Sequence, residues 1–371
     1  MEWLVGQGGR HEAARPLLTA PPSAPPIATV ARWDARASGL RYVDVELPGI
    51  TRRRAGRGFV YHGPSGRRLS GRASLDRIRA IAIPPAWTDV WICPDPRGHI
   101  QATGRDVAGR RQYRYHPAFR ERREAGKFAR LIRFGERLPR IRRRVQRDLA
   151  RRGLPRAKVL AAVVALLELT RLRVGNPEYA ALNRSFGLST LRDRHAAIRG
   201  ATIHFRFRGK GGRIEERTII DRRLAAVVRR CQDLPGQELF QFEDEAGEVR
   251  PIASEDVNAY LREASGDAEL SAKDFRTWTA TLAAFRDLRA GPPKDGTRVR
   301  GRSRVIDALR RTADELGNTL AVTRSSYIHP AVVAAFEDEP ARRRRGHQGA
   351  SDIASRDDEL ELLALLRRSS R

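Results

Sequence analysis

The sequence predicts an α+β fold, with a small β-rich N-terminal domain followed by a mainly α domain that contains one small β-hairpin. Three observations carry this. Between Leu40 and Tyr115 the apolar residues come in short runs separated by Gly- and Pro-containing turns. After His116-Pro117 the apolar spacing becomes helical and stays so for most of the chain. That helical text is interrupted once, at 201–220, by two alternating runs around a glycine cluster.

The elements follow in order. Residues 1–33, with Pro21, Pro22, Pro25 and Pro26 close together, hold no sustained period and are expected to form a flexible extension. Gly58-Phe-Val-Tyr61 and Val90-Trp-Ile-Cys93, each followed by turn chemistry, read as strands of a mostly antiparallel sheet. Trp87 and Trp91 are assigned to its core. One helix is expected over 74–82, capped by Ser74, with Leu75, Ile78 and Ile81 on one face and Pro84-Pro85 stopping it. The boundary falls near 118–128, giving a β-rich domain of 34–123 and an α domain of 124–338. Helices are predicted at 119–152, 156–170, 222–232, 254–264, 272–290 and 305–316, the last ended by Gly317. The hairpin strands are 201–208 and 214–220, with Lys210 at the tip. Residues 339–371 open with Arg342–Arg345 and include a short amphipathic piece at 357–366; they read as a solvated basic tail.

Composition narrows the function. The 371 residues carry 72 Lys+Arg against 44 Asp+Glu, a net charge of +28, which points to a polyanionic partner, by default nucleic acid. A hydrophobic fraction of 40% excludes global disorder. The longest apolar run, 159–169, is too short to span a membrane and contains Glu168. No export leader is evident, so a cytoplasmic setting is expected. Two distant cysteines, Cys93 and Cys231, argue against a disulfide framework or a zinc site. Only Lys127, Lys158, Lys210, Lys273 and Lys294 among the basic residues are lysine. A lysine retained against so strong an arginine bias marks a place where its titratable ammonium is in demand.

The α domain contains, in order, Arg173 in Leu172-Arg-Val-Gly-Asn176, Lys210, Arg276 in Lys273-Asp-Phe-Arg-Thr277, Asn318 in Leu316-Gly-Asn-Thr319, and Tyr327 in Arg324-Ser-Ser-Tyr-Ile328. This series resembles the active-site pentad of type IB DNA topoisomerases of the poxvirus and bacterial class, and of the related tyrosine recombinases. The runs Ile83-Pro-Pro-Ala-Trp87, Gly98–Asp106 and Gly109–His116 resemble the N-terminal domain of the bacterial topoisomerases and separate the two families. The resemblance covers about 34–338. It implies relaxation of supercoiled double-stranded DNA through a 3′-phosphotyrosyl link, with no cofactor, no obligatory metal or nucleotide, and a monomer closing as a clamp.

The chemistry accounts for the residue types. Transesterification at a phosphodiester needs a hydroxyl nucleophile, donors for the equatorial oxygens, and an acid for the departing 5′ oxygen. A phenol ionises more readily than an aliphatic alcohol and can leave again on religation. By the resemblance Tyr327 is the nucleophile, Arg173 and Arg276 clamp the phosphate, and Lys210 is the acid, a role arginine is too weakly acidic to fill. Taken alone, a basic residue at a glycine hairpin tip is a solvated turn, Gly-Asn after a helix is a stop signal, and most tyrosines pack. Asn318 stands where relatives usually carry histidine; its amide can donate to a phosphate oxygen but cannot transfer a proton. Arg111, Gln112, Tyr113 and Tyr115 match a DNA-contacting strand, with both tyrosines on one face by alternation. Tyr179 and Lys273 are further DNA-contact candidates, and the arginines of 140–152 are expected to meet phosphates. Two alternatives stand: a tyrosine recombinase, and a non-enzymatic Arg-rich nucleic-acid binder.

Overall fold

The structure is a computed structural model that describes residues 27–290, 301–337 and 355–369. The chain divides into two compact units, Met1–His116 and Pro117–Arg371. Among the described residues no helix is long and apolar enough to cross a membrane.

The first unit contains α1 (Ile27–Ala37), β1 (Ile50–Ala55), β2 (Gly58–His62), α2 (Arg72–Ala80), β3 (Thr88–Ile92), β4 (Ile100–Arg105) and β5 (Arg111–Tyr115). Its five strands form one antiparallel sheet in the order β2-β1-β3-β4-β5. Ile50, Val90, Ile92 and Ala102 from the sheet bury against Ile78 of α2, with Trp87 packed at the margin. Gly104 permits that packing, since a Cβ there would come within 2.8 Å of the Trp87 ring. Trp91, expected in the core, is half-buried and donates from its indole to the Leu47 carbonyl at 2.9 Å. Two boundaries differ from expectation. Part of the supposed extension is helical, in α1, while the proline run at 21–26 lies outside the described residues. Helix α2 starts two residues early, and its N-cap is Gly71 with no side-chain cap bond, so Ser74 sits inside the first turn.

The second unit opens with α3 (Pro117–Leu149) and α4 (Arg156–Thr170), followed by α5 (Pro177–Asn183) and three antiparallel strands, β6 (Ala196–Arg199), β7 (Thr202–Arg208) and β8 (Ile214–Ile220). Then come α6 (Arg222–Gln232), the small pair β9 (Gln241–Glu243) and β10 (Val249–Pro251), α7 (Ser254–Ser265), α8 (Ala272–Arg289), α9 (Gly301–Leu316), α10 (Leu320–Tyr327), α11 (Pro330–Glu337) and α12 (Arg356–Ser369). Helix α4 is apolar on every face and is correspondingly central, burying Val159 to Val164, Leu166 and Leu167. Gly135 of α3 lets the Trp278 ring of α8 lie directly against the α3 backbone.

Two sequence expectations are corrected here. Residues 356–369 are not a wholly solvated tail but a helix docked by one face: Leu362, Leu363 and Leu366 of α12 enter the main core, and Asp358 and Glu359 pair with Arg286, Arg289 and Arg142. Four turns of apolar spacing with acids at the N-terminal end are enough to dock this helix. The Arg342–Arg345 cluster lies outside the described residues. Nor is the 140–152 run one free basic face. Arg142 binds Glu168 and Glu359, while Arg144 and Arg151 hold the fully buried Asp148 at 2.6 and 2.8 Å, compensating a charge that would otherwise be costly to bury.

Candidate active site

Five segments of the second unit carry the predicted catalytic residues, and the structure brings Arg173, Arg276, Asn318 and Tyr327 together. Helix α4 ends where Arg171 turns into the left-handed region at φ 57°, a conformation that costs about 1–3 kcal/mol for a residue with a Cβ. The chain then runs extended through Arg173, pinned by bonds from Leu188 N to Arg173 O at 2.9 Å and from Ser189 N to Val174 O at 2.6 Å. The approach is so close that a Cβ on Gly187 would lie 2.6 Å from the Arg173 carbonyl oxygen.

Arg276, on α8, is only 4% exposed. Its two terminal nitrogens donate to the carbonyls of Arg171 and Leu316, each two residues before a predicted site residue. One guanidinium thus ties the Arg173 segment to the Asn318 segment. Its Nε is buried and has no hydrogen-bond acceptor among the described residues. Burial, with Arg173 nearby, lowers its pKa to about 10, leaving it cationic at neutral pH.

Asn318 follows α9. Gly317 takes φ 61° and Asn318 N reaches back to Ala313 O at 2.9 Å, a left-handed helix stop of the Schellman kind. The stop belongs to Gly317; the Asn318 side chain does something else. Its Oδ1 accepts from Arg173 Nη2 at 3.0 Å. Because arginine has no acceptor, the amide oxygen must face it, so Nδ2 points away as a donor. That nitrogen is buried and has no acceptor among the described residues.

Tyr327 is the last residue of α10 and is half-buried. The Arg276 guanidinium carbon lies 5.3 Å from its ring centroid. Burial pushes the phenol pKa up, but Arg276, Arg173 and Lys273 more than offset this, so it falls below its ordinary value. Thr281 Oγ1 of α8 donates to the Tyr327 carbonyl at 2.9 Å and fixes the end of the helix.

Lys210 is exposed at the β7–β8 tip, where Gly211 and Gly212 take φ 78° and 79°, a turn that favours glycine. With Arg173, Phe186, Phe207 and Glu215 it lines a small cleft. Lys273 is exposed one turn before Arg276 on α8. Tyr179 lies on α5, whose N-cap Asn176 accepts from Tyr179 N at 2.8 Å. Arg111, Gln112, Tyr113 and Tyr115 belong to β5 of the first unit. The rings of Tyr113 and Tyr115 stack on one face with centroids 5.9 Å apart, and both are 41% exposed.

Sequence reasoning missed Glu215, a 7% exposed carboxylate that pairs with Arg217 at 3.1 Å and stands 3.9 Å from Arg173. Its position opposite Phe207 in the hairpin, on the inward alternation of β8, was the available signal.

Comparison with known proteins identifies the family. Residues 116–350 match the family model of the eukaryotic DNA topoisomerase I catalytic core, and residues 58–106 match that of the bacterial DNA topoisomerase IB N-terminal domain. The chain is 31% identical over 302 residues to the DNA topoisomerase 1B of Acanthamoeba polyphaga mimivirus, spanning 79% of this chain and 89% of the viral protein.

The chain belongs to the type IB DNA topoisomerase family.

The N-terminal match contains the 83–87 and 98–106 runs, so the recombinase alternative is not favoured. Two solved complexes of the XerH site-specific recombinase with difH substrates, before and after cleavage, are also similar. They match at 14% and 13% identity over 52% of this chain and 49% and 47% of theirs, with TM-scores of 0.33 and 0.34.

Proposed function

We propose that this type IB topoisomerase relaxes supercoiled duplex DNA by cutting and resealing one strand through Tyr327. The observation that carries the reading is the convergence on one phenol of Arg276, 5.3 Å from its ring, and the Arg173–Asn318 pair, joined at 3.0 Å. The Tyr327 oxygen attacks the scissile phosphorus as its proton passes to solvent. The bond from phosphorus to the 5′ oxygen breaks, and Lys210 supplies the proton that this oxygen takes up. Religation reverses each transfer, and the phosphotyrosyl ester conserves the bond energy, so no nucleotide is required. Arg173, Arg276 Nε and Asn318 Nδ2 are donors for the nonbridging oxygens, where charge builds in the transition state. The lowered phenol pKa favours both attack and departure.

Arg111, Gln112, Tyr113, Tyr115, Tyr179 and Lys273 contact duplex DNA in this reading, chiefly at phosphates. In this reading a monomer closes as a clamp around the duplex, in a cytoplasmic, nucleoid-associated setting. The net charge of +28 supports a binding step that weakens by roughly 0.9 log unit per neutralised phosphate for each log unit of salt. Plasmid relaxation in EDTA without ATP tests the proposal. A ladder of topoisomers is expected; unchanged supercoiled plasmid at low salt would overturn it.

A further inference from the structure

Lys127 lies on α3, far in sequence from the five site residues. Its ammonium crosses to the end of α10 and donates to the carbonyls of Ser325 and Ser326 at 3.3 and 3.1 Å. These are the two residues immediately before Tyr327. The last carbonyls of a helix have no intrahelical partner and carry the negative end of its dipole, so a cation there both satisfies and attracts them. The same ammonium sits over the Phe128 ring, 4.2 Å from its centroid.

Neighbouring contacts complete a frame around the tyrosine. Phe128 packs edge-on against the His329 ring at 4.8 Å. Thr281 Oγ1 donates to the Tyr327 carbonyl at 2.9 Å and accepts from His329 N at 3.2 Å. The nucleophile is therefore held from α8 through Thr281 and from α3 through Lys127 and Phe128.

We propose that Lys127 is a positioning residue for Tyr327, gripping the last turn of α10 so that the phenol stays beside Arg276 and Arg173. This rests on the reading of Tyr327 as the nucleophile. An ammonium suits the position because a compact head with three divergent donors can hold two consecutive carbonyls under an aromatic face.

The grip is also titratable. The groups facing Lys127 are Glu124 and Arg130 on its own helix, Lys273 on α8, and His329 beyond α10. Arg130 is itself paired with Asp274 at 3.1 Å. Burial, then Lys273 and Arg130, outweigh Glu124 and bring the Lys127 pKa down to about 8. His329, lowered to about 4 by burial and by Lys127, is neutral throughout the working range. Above about pH 8 the ammonium loses its proton and the grip weakens.

The test compares the full chain with Lys127→Met and Lys127→Arg. Single-turnover formation of the covalent protein–DNA adduct is measured from pH 6.5 to 9.5, and hydrogen exchange is measured over the segment containing Tyr327. Lys127→Met is expected to slow adduct formation about 10- to 100-fold with duplex affinity unchanged, and to speed exchange at 320–329 but not elsewhere. Lys127→Arg should recover the rate to within about fivefold and lose the bend near pH 8 that the parent shows. Parent-like rates and exchange in Lys127→Met would overturn the proposal. So would equal losses in both variants with the bend retained. If the parent forms no adduct while exchange at 320–329 still responds to Lys127→Met, the fault lies with the Tyr327 assignment and not with the positioning role.

Discussion

Asn318 offers the sharpest probe of how the phosphate is held, because its two side-chain atoms have separable roles. Oδ1 accepts from Arg173 at 3.0 Å, and Nδ2 is a buried donor with no acceptor among the described residues. Asn318→Ala removes both. Loss of one preorganised donor to a transition-state oxyanion costs about 2.7–4 kcal/mol. At about 1.36 kcal/mol per decade, this is a fall of about 100- to 1,000-fold in the cleavage rate. Asn318→Asp keeps an acceptor for Arg173 but turns a carboxylate oxygen toward the phosphate, so it should fall below alanine. Asn318→His restores an N–H donor and should stay within about tenfold of the parent, a donor being the group whose loss is so costly. Single-turnover adduct formation, with duplex affinity measured separately by anisotropy, ranks the series. An aspartate variant as fast as the parent, or an alanine variant slowed less than threefold, would refute the donor role.

Two further outcomes follow from the packing and the charges. Gly135→Ala places a methyl against the Trp278 ring and 2.8 Å from Leu363, an overpacking expected to cost about 1–3 kcal/mol. A thermal melt should then fall by about 2–10 °C, and an unchanged or raised melting temperature would show that α8 and α12 give way freely. Because Arg276, Arg173 and Lys273 hold the Tyr327 phenol below its ordinary pKa, the phenolate limb of the cleavage rate in Lys127→Arg should level off below about pH 10. A limb still rising at pH 10 would contradict that field.

The main elements were legible because their signals are local. Helix α4 is apolar on all sides, and the β7–β8 hairpin alternates around a glycine turn, so both could be read at nearly their observed bounds. The strand β6 and the β9–β10 pair are three or four residues long, too short to establish a period, although each pairs with a strand only a few residues away in sequence. Docking of α12 depends on an apolar groove between α3 and α8 that exists only after folding. At the site, Arg173, Lys210, Arg276, Asn318 and Tyr327 could be named because their order and spacing resemble a family. Glu215 and Lys127 carry no such mark. Their roles come from tertiary contacts: a buried carboxylate 3.9 Å from Arg173, and an ammonium that reaches a helix end almost 200 residues away. The arginine bias obscured more than it revealed. Arg142, Arg144 and Arg151 look like a phosphate-binding face until their carboxylate partners are seen.

The central claim is that the Tyr327 oxygen becomes joined to the 3′ end of a cut strand. Incubating the parent and Tyr327→Phe with a duplex that loses its 5′ fragment on cleavage, then denaturing, reads this directly. The parent should yield a protein–DNA adduct whose phosphate maps to the Tyr327 peptide, and the phenylalanine variant should bind the duplex equally well and yield none. An adduct on another residue, or one persisting in Tyr327→Phe, would contradict the account.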